Sequence, residues 1–303
     1  MPAVHFQREP TLAERLGFRP DDKILMIHAD DVGMCHSVNM ATIKAMESGV
    51  VSSASIMVPC PWFPEIAQYC REHPEKDFGL HLTLTSEWRH YRWKSTASPD
   101  LVPSLHDKEG FLHRDDATVA KVGKPAEVAR ELAAQIERAK AFGIVPTHVD
   151  SHMGTLFYAP FYETYARVAK EHGLMPMLLK PTEDRVKQAK VAFGFDVMPS
   201  FERLRKQGYV FLDRLKEGAA GDTLETRREH YWNEIRRLKP GEVTEFIVHL
   251  SLDDDEIQHV TGSWRNRYHE FLIMTDPRTR DLIESTGVKL IGYRALSKLA
   301  YAR

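Results

Sequence analysis

Long apolar runs are missing from this chain of 303 residues. No uncharged apolar stretch approaches the roughly 18–20 residues that span a bilayer, so no membrane helix is expected. The N-terminus, MPAVHFQREPTLAERLGF, has no basic start followed by an apolar run, which argues against a secretory signal. Cysteine is scarce. Cys35, Cys60 and Cys70 are an odd count without CxxC spacing, which supports neither a disulfide framework nor a thiolate zinc site. They read instead as small buried residues in a reducing compartment. An excess of either charge is also absent. With 41 basic and 43 acidic residues the formal net charge is −2, which offers no footprint for nucleic acid or an anionic membrane. The chain reads as a soluble cytoplasmic protein with a small or neutral partner. No GxSxG is present, so a nucleophile elbow has no support.

What is present is a rhythm of short apolar runs separated by helical patterns. Strands are expected at Ile24–Ala29, Val51–Val58, Phe78–Leu84, Thr147–His152, Leu174–Lys180, Glu245–Leu250 and Val288–Tyr293. Between them, Ser37 is expected to cap a helix that carries Met40, Ile43 and Met46 and stops at Gly49. Pro61 suits the first turn of a helix reaching about Glu72. Further helices are expected at Pro125–Phe142, Phe161–Glu171, Thr223–Leu238 and Arg278–Ser285. Residues 85–123 and 182–220 break the pattern and read as two inserted loop regions of one domain spanning 1–303. Alternation of this kind, repeated about seven times, implies a parallel sheet covered by helices. No Gly-rich phosphate turn follows any strand: DDVGMCHS has two acids where a dinucleotide site needs glycines. That favours a distorted TIM-like (β/α) barrel over an open nucleotide-binding sheet.

Polar residues fall at the strand ends, where parallel α/β folds place their sites. The first strand ends in His28-Ala29-Asp30-Asp31, the third carries His81, the fourth reads His148-Val149-Asp150-Ser151-His152, and the sixth ends at His249. Any one of them has an ordinary explanation, as a packed histidine or a helix cap. Together they need a shared partner, because burying so many polar groups uncompensated costs several kcal/mol. A cation is the simplest one, and mixed imidazole and carboxylate ligation suits zinc or a neighbouring transition ion. One of the adjacent aspartates can bind it while the other stays free as a base, since neighbouring side chains on an extended segment diverge. His148 and Asp150, on one side of a strand, would orient the ligands. Trp88 and Trp264 are candidates for a sugar platform, against the commoner role of packing anchors.

These residues resemble a known family, the YdjC-type carbohydrate deacetylases. ILMIHADDVGMCHSVNMATIKAMESGVVSSASIMV is similar to that family's opening, with its Ala-Asp-Asp. FGLHLTLT resembles its Gly-x-His-x-x-Leu-Thr motif, and PTHVDSHM its Pro-Thr-His-x-Asp-Ser-His motif. EFIVHLS and RYHEFLIMTDPRTRDLIESTGVKLIGY resemble its late strand and closing segment. The resemblance implies a distorted barrel that uses one divalent metal ion, Zn2+ or Mg2+, to remove acetyl groups from amino sugars. By position it makes Asp30 the catalytic base and Asp31, His81 and His152 the metal ligands. His249 would then supply a proton to the leaving amine. Two departures stand out. Met153-Gly154-Thr155 follows Asp-Ser-His where the family commonly has more histidines, and Val248-His249-Leu250 replaces Cys-His-Pro.

The expected partner is therefore a small carbohydrate, and a homodimer is compatible with this reading. Two other functions remain open. A metal-dependent sugar isomerase or epimerase would need a second base, and a non-catalytic carbohydrate-binding protein would keep the ion for structure. Residues 85–123 are expected over the mouth of the site, because they directly follow the strand carrying His81.

Overall fold

The computed structural model describes residues 9–194 and 196–301. Eight strands form its frame: β1 (Ile24–Val32), β2 (Ser53–Ile56), β3 (Phe78–Leu82), β4 (His148–Ser151), β5 (Met175–Pro176), β6 (Arg214–Glu217), β7 (Val243–Val248) and β8 (Lys289–Leu290). They run in the order β5-β4-β3-β2-β1-β7-β6, and every neighbouring pair is parallel. The short β8 pairs with Ile24 and Leu25 at the start of β1, on the flank that β2 takes over from His28 onward. The two outer edges approach each other beyond β5. Lys180 N–H donates to the Leu212 carbonyl and Leu212 N–H to the Leu178 carbonyl, both at 2.8 Å. The sheet thus curls into a distorted TIM-like barrel.

The period of two in β1 explains how the barrel is built. All nine residues of β1 are buried. Leu25, Ile27 and Ala29 face outward into the larger core beneath the helices. Ile24 and Met26 face inward and meet Met175, Met177, Val243 and Tyr293 on the barrel axis. His28 and Asp30 continue that inward series toward the carboxyl end. Outside, the helix Pro125–Ala141 buries Val128, Leu132 and Ile136 at helical spacing, each contributing about 1.5–3 kcal/mol by leaving water. Among the described residues, no helix is long and apolar enough to cross a membrane.

The fold corrects several expectations. Segment 182–220 is not irregular. It holds the helices Glu183–Ala192 and Met198–Lys206, and β6. That strand reads Arg-Leu-Lys-Glu and is half-buried to exposed, so it lacks the apolar run that marks a buried strand. Segment 85–123 ends in a helix, Asp116–Val122, capped by Asp115. Ser37 caps nothing. The helix begins at His36, and the Ser37 hydroxyl donates to Asp254 at 2.6 Å. The helices Asp255–Val260 and Trp264–Thr275 were not anticipated. The three cysteines are free and buried. Burial pushes the Cys35 and Cys70 thiols up to about 12 and raises Cys60 as well, so none is poised as a nucleophile.

Candidate metal centre

Asp30 and Asp31 stand near the end of β1, and the backbone at Asp31 is not extended. The pairing with β2 slips between Ala29 and Val32, and Asp31 has φ +65°. Aspartate is one of the few non-glycine residues that tolerates this left-handed conformation. The turn removes the expected divergence of the two carboxylates, and both reach the same imidazole. Asp31 Oδ1 lies 3.5 Å and Asp30 Oδ2 3.7 Å from His81 Nε2.

Parallel pairing of β3 with β4 sets His81 opposite Asp150. His81 Nδ1 meets Asp150 Oδ1 at 2.6 Å, which turns Nε2 toward the aspartates. His152 is oriented the other way round. Its Nε2 meets Glu87 at 3.1 Å, and its Nδ1 lies 3.2 Å from Asp31 Oδ1. Each histidine thus has a carboxylate on one nitrogen and offers the other to a common point. Donor atoms of Asp31, His81 and His152 all lie within 4.8 Å of one another. Asp31 Oδ1 is buried and makes no well-formed hydrogen bond, with His152 Nδ1 at 3.2 Å beside it, which leaves it able to bind a cation. Two further groupings meet the same spacing: Asp30, His81 and Asp150, and His28, His148 and Asp150. Both depend on Asp150, whose oxygens are already bonded to His81 and His28. The first grouping is the one with uncommitted donors, and two imidazoles with one carboxylate suit a divalent ion with positions left open.

Arg267 was not foreseen. From the helix Trp264–Thr275 its Nη2 donates to Asp31 Oδ2 at 2.6 Å, inside the protein. Burial alone would raise the Asp31 carboxyl. Arg267, with His152 and His249, outweighs burial and holds it well below the usual carboxylate range. At His152 burial favours the neutral ring, but Glu87 and Asp31 prevail and lift it to about 10.

Beneath the triad lies a second polar layer. His28 Nε2 meets Asp150 Oδ2 at 2.9 Å and stands 3.2 Å from Asp30 Oδ1. His28, rather than the expected His148, is the histidine that bonds Asp150 Oδ2. His148 is fully buried, bonds Thr147 Oγ1 at 2.9 Å, and stacks on Tyr293 with ring centres 3.7 Å apart. It comes no nearer than 3.8 Å to Asp150 and makes no hydrogen bond to it. Gly79 makes room for this ring, since a Cβ there would stand 2.3 Å from His148 Cε1.

A cavity of about 430 Å³ opens above these groups. Asp30, Asp31, His81, Asp150, His152 and His249 all line it, as do Glu87, Glu217 and Arg267. His249 is half-buried, and its backbone N–H donates to Glu270 at 2.7 Å. The two tryptophans are not brought in. Trp88 packs against Tyr91 and Trp93, and Trp264 packs on the core with Arg265 across its ring. The aromatic walls are Phe157 and Phe193 instead. Segment 85–123 does begin at the carboxyl end of β3, where Glu87 walls the cavity and the Tyr91 hydroxyl donates to the Met34 carbonyl. It then leaves the mouth and docks on the helix Pro125–Ala141, where Glu131 accepts from Thr96 and Ala97 N–H at 2.8 Å each.

The parallel barrel gathers carboxylate-backed histidines at its carboxyl end, where they could hold a metal ion. The model of the YdjC-like protein family matches residues 24–285, and the chain belongs to that family. A carbohydrate deacetylase of Thermus thermophilus is 32% identical over 281 residues, covering 90% of this chain and 93% of the relative. A chitooligosaccharide deacetylase of Yersinia pestis is 34% identical over 272 residues, covering 89% and 97%. A crystal structure from Enterococcus faecalis V583, named for a conjectured role in cellobiose-phosphate cleavage, superposes with a TM-score of 0.75 at 25% identity, covering 91% of this chain and 99% of that one.

Proposed function

We propose that this protein hydrolyses the N-acetyl group of an amino sugar or its oligomers, using one divalent cation, Zn2+ or Mg2+. The observation that carries the reading is the unpartnered Asp31 Oδ1, 3.5 Å from His81 Nε2 and 3.2 Å from His152 Nδ1. The names of the relatives support the substrate class. Asp31, His81 and His152 would hold the ion, which supplies Lewis-acid activation of water and of the acyl carbonyl.

This chain's own residues do the rest. Asp150 and Glu87 fix the two rings so that each presents one nitrogen. Arg267 occupies Asp31 Oδ2 and leaves Oδ1 as the ligand atom. Asp30, tied to His28 through Oδ1, has Oδ2 to take the proton of the attacking water. His249, at the end of β7 beside β1, would deliver a proton to the departing amine.

The test is release of acetate from a panel of N-acetylated amino sugars before and after removal of bound metal by a chelator. Activity that disappears with the metal and returns with Zn2+ or Mg2+ supports the reading. Full activity in metal-free protein, or no acetate release from any sugar when loaded, ends it.

A further inference from the structure

A second cavity adjoins the catalytic one, and Phe157, Leu179 and Phe193 line both. It measures about 140 Å³, and its walls are almost entirely hydrocarbon. The floor belongs to the barrel, with Leu179 on the continuation of β5 and Tyr162 opening the helix Tyr162–Glu171. The roof is the helix Glu183–Ala192, which lines the cavity through Arg185, Gln188 and Ala189. None of its residues is buried. A surface helix ordinarily buries an apolar stripe, whereas this one stands over an apolar floor without filling it. Its amino end is fixed by the Thr182 cap and by Arg185, which donates to the Lys180 carbonyl at 2.6 Å.

Phe193, just past the helix, connects the two cavities. A Cβ on Gly154 would stand 3.6 Å from its ring, so Phe193 covers the backbone beside His152. Met153, Gly154 and Phe157 line the same wall. This is the stretch where Met153-Gly154 replaces the histidines common in the family pattern. The wall formed by Met153, Gly154, Phe157 and Phe193 runs directly into the apolar pocket.

We propose that the pocket is a hydrocarbon subsite of the catalytic cavity, taking a phenyl-sized or branched alkyl group carried by the substrate. The inference rests on the amide-hydrolase reading for what occupies the neighbouring cavity. The size fits, since an apolar cavity of about 150 Å³ holds benzene. Hydrocarbon makes up most of the lining, so ordered water finds few polar partners there. The group belongs either to the aglycone on the amino sugar or to the acyl chain, and reaction products separate these sources without turnover.

The experiment measures Kd by titration calorimetry on the full chain for two pairs of compounds. One pair is methyl and phenyl β-glucosaminide, and the other is acetate and phenylacetate. One phenyl compound should bind roughly 10–100-fold more tightly than its partner, the range expected for an added apolar group in a matched pocket. Which pair shows the gain names the source. Ala189→Phe, on a helix with no buried residue, fills the pocket and should bring that ratio close to one. Equal affinities within both pairs in the unsubstituted protein overturn the proposal, as does a preference that survives Ala189→Phe. Failure of the deacetylase reading appears separately, as no acetate release by the metal-loaded protein.

Discussion

Replacing each adjacent aspartate by asparagine separates ligand from base. Asp31→Asn keeps the shape but removes the charge that faces His81, His152 and Arg267 together. Two losses follow. The ion loses the only carboxylate of its donor set, so metal stoichiometry should fall far below one per chain. Arg267 also loses its counter-charge at 2.6 Å while still buried, a change that costs up to about 3–5 kcal/mol. With an unfolding entropy of about 2.1 cal/mol/K per residue, that lowers Tm by up to roughly 5–8 °C. Asp30→Asn leaves all three donors and Arg267 intact. Metal should remain near one per chain while acetate release falls by roughly 10²–10⁴, the contribution of a positioned base, or about 3–5 kcal/mol of barrier. Elemental analysis, acetate release and thermal unfolding on the same preparations give the three readouts. An Asp30→Asn protein that keeps full activity refutes the base assignment. One that loses its metal shows that both carboxylates bind the ion, which their joint approach to His81 makes a live outcome. An Asp31→Asn protein with full metal content refutes the ligand assignment.

Further outcomes are expected. Glu87→Gln, which weakens the support of His152 Nε2, should reduce metal affinity by roughly 10–100-fold, measured by competition with a chelating dye. Gly79→Ala forces a methyl group into the His148 ring and should destabilise the fold by about 1–3 kcal/mol, read from urea unfolding. Glu245 is fully buried against Tyr293, and burial lifts its carboxyl to about 8 despite the opposing pull of His28. The unfolded chain releases that proton near 4.5 and the folded chain near 8, so this group erodes stability as pH rises between those values. Glu245→Gln should flatten that slope by an amount on the order of 3 kcal/mol between pH 5 and 8; an unchanged pH profile of unfolding would count against it.

Much of this site was legible because strand geometry is periodic. His148 and Asp150 stand two apart on β4, and parallel pairing carried His81 opposite Asp150, with His152 just past the strand end. The Asp30-Asp31 geometry was misread because a single left-handed residue defeats the alternation rule. His148 and Asp150 look equivalent in sequence, yet one ring rests a layer deeper because Gly79 leaves room there. Arg267 lies 236 positions from Asp31, and no local pattern announces a contact of that span. The strand β6 escaped notice because its Arg-Leu-Lys-Glu carries no apolar run. Trp88 and Trp264 illustrate the opposite failure: large aromatics attracted a binding role, while Phe157 and Phe193 line the cavity.

The left-handed backbone at Asp31 narrows what any successor residue can be. Glutamate could in principle coordinate an ion but lacks aspartate's tolerance of this conformation, and histidine tolerates the backbone but removes the carboxylate that Arg267 binds. Glycine fits the backbone and has no donor atom. Asparagine fits and has lost the charge. Aspartate alone satisfies both the main chain and the ligand field, so the usable alphabet at this position has one letter. If the proposed ligand set holds, an effort to retune ion preference has its freedom at His81 and His152, on strand and strand-end backbone, and almost none at the carboxylate between them.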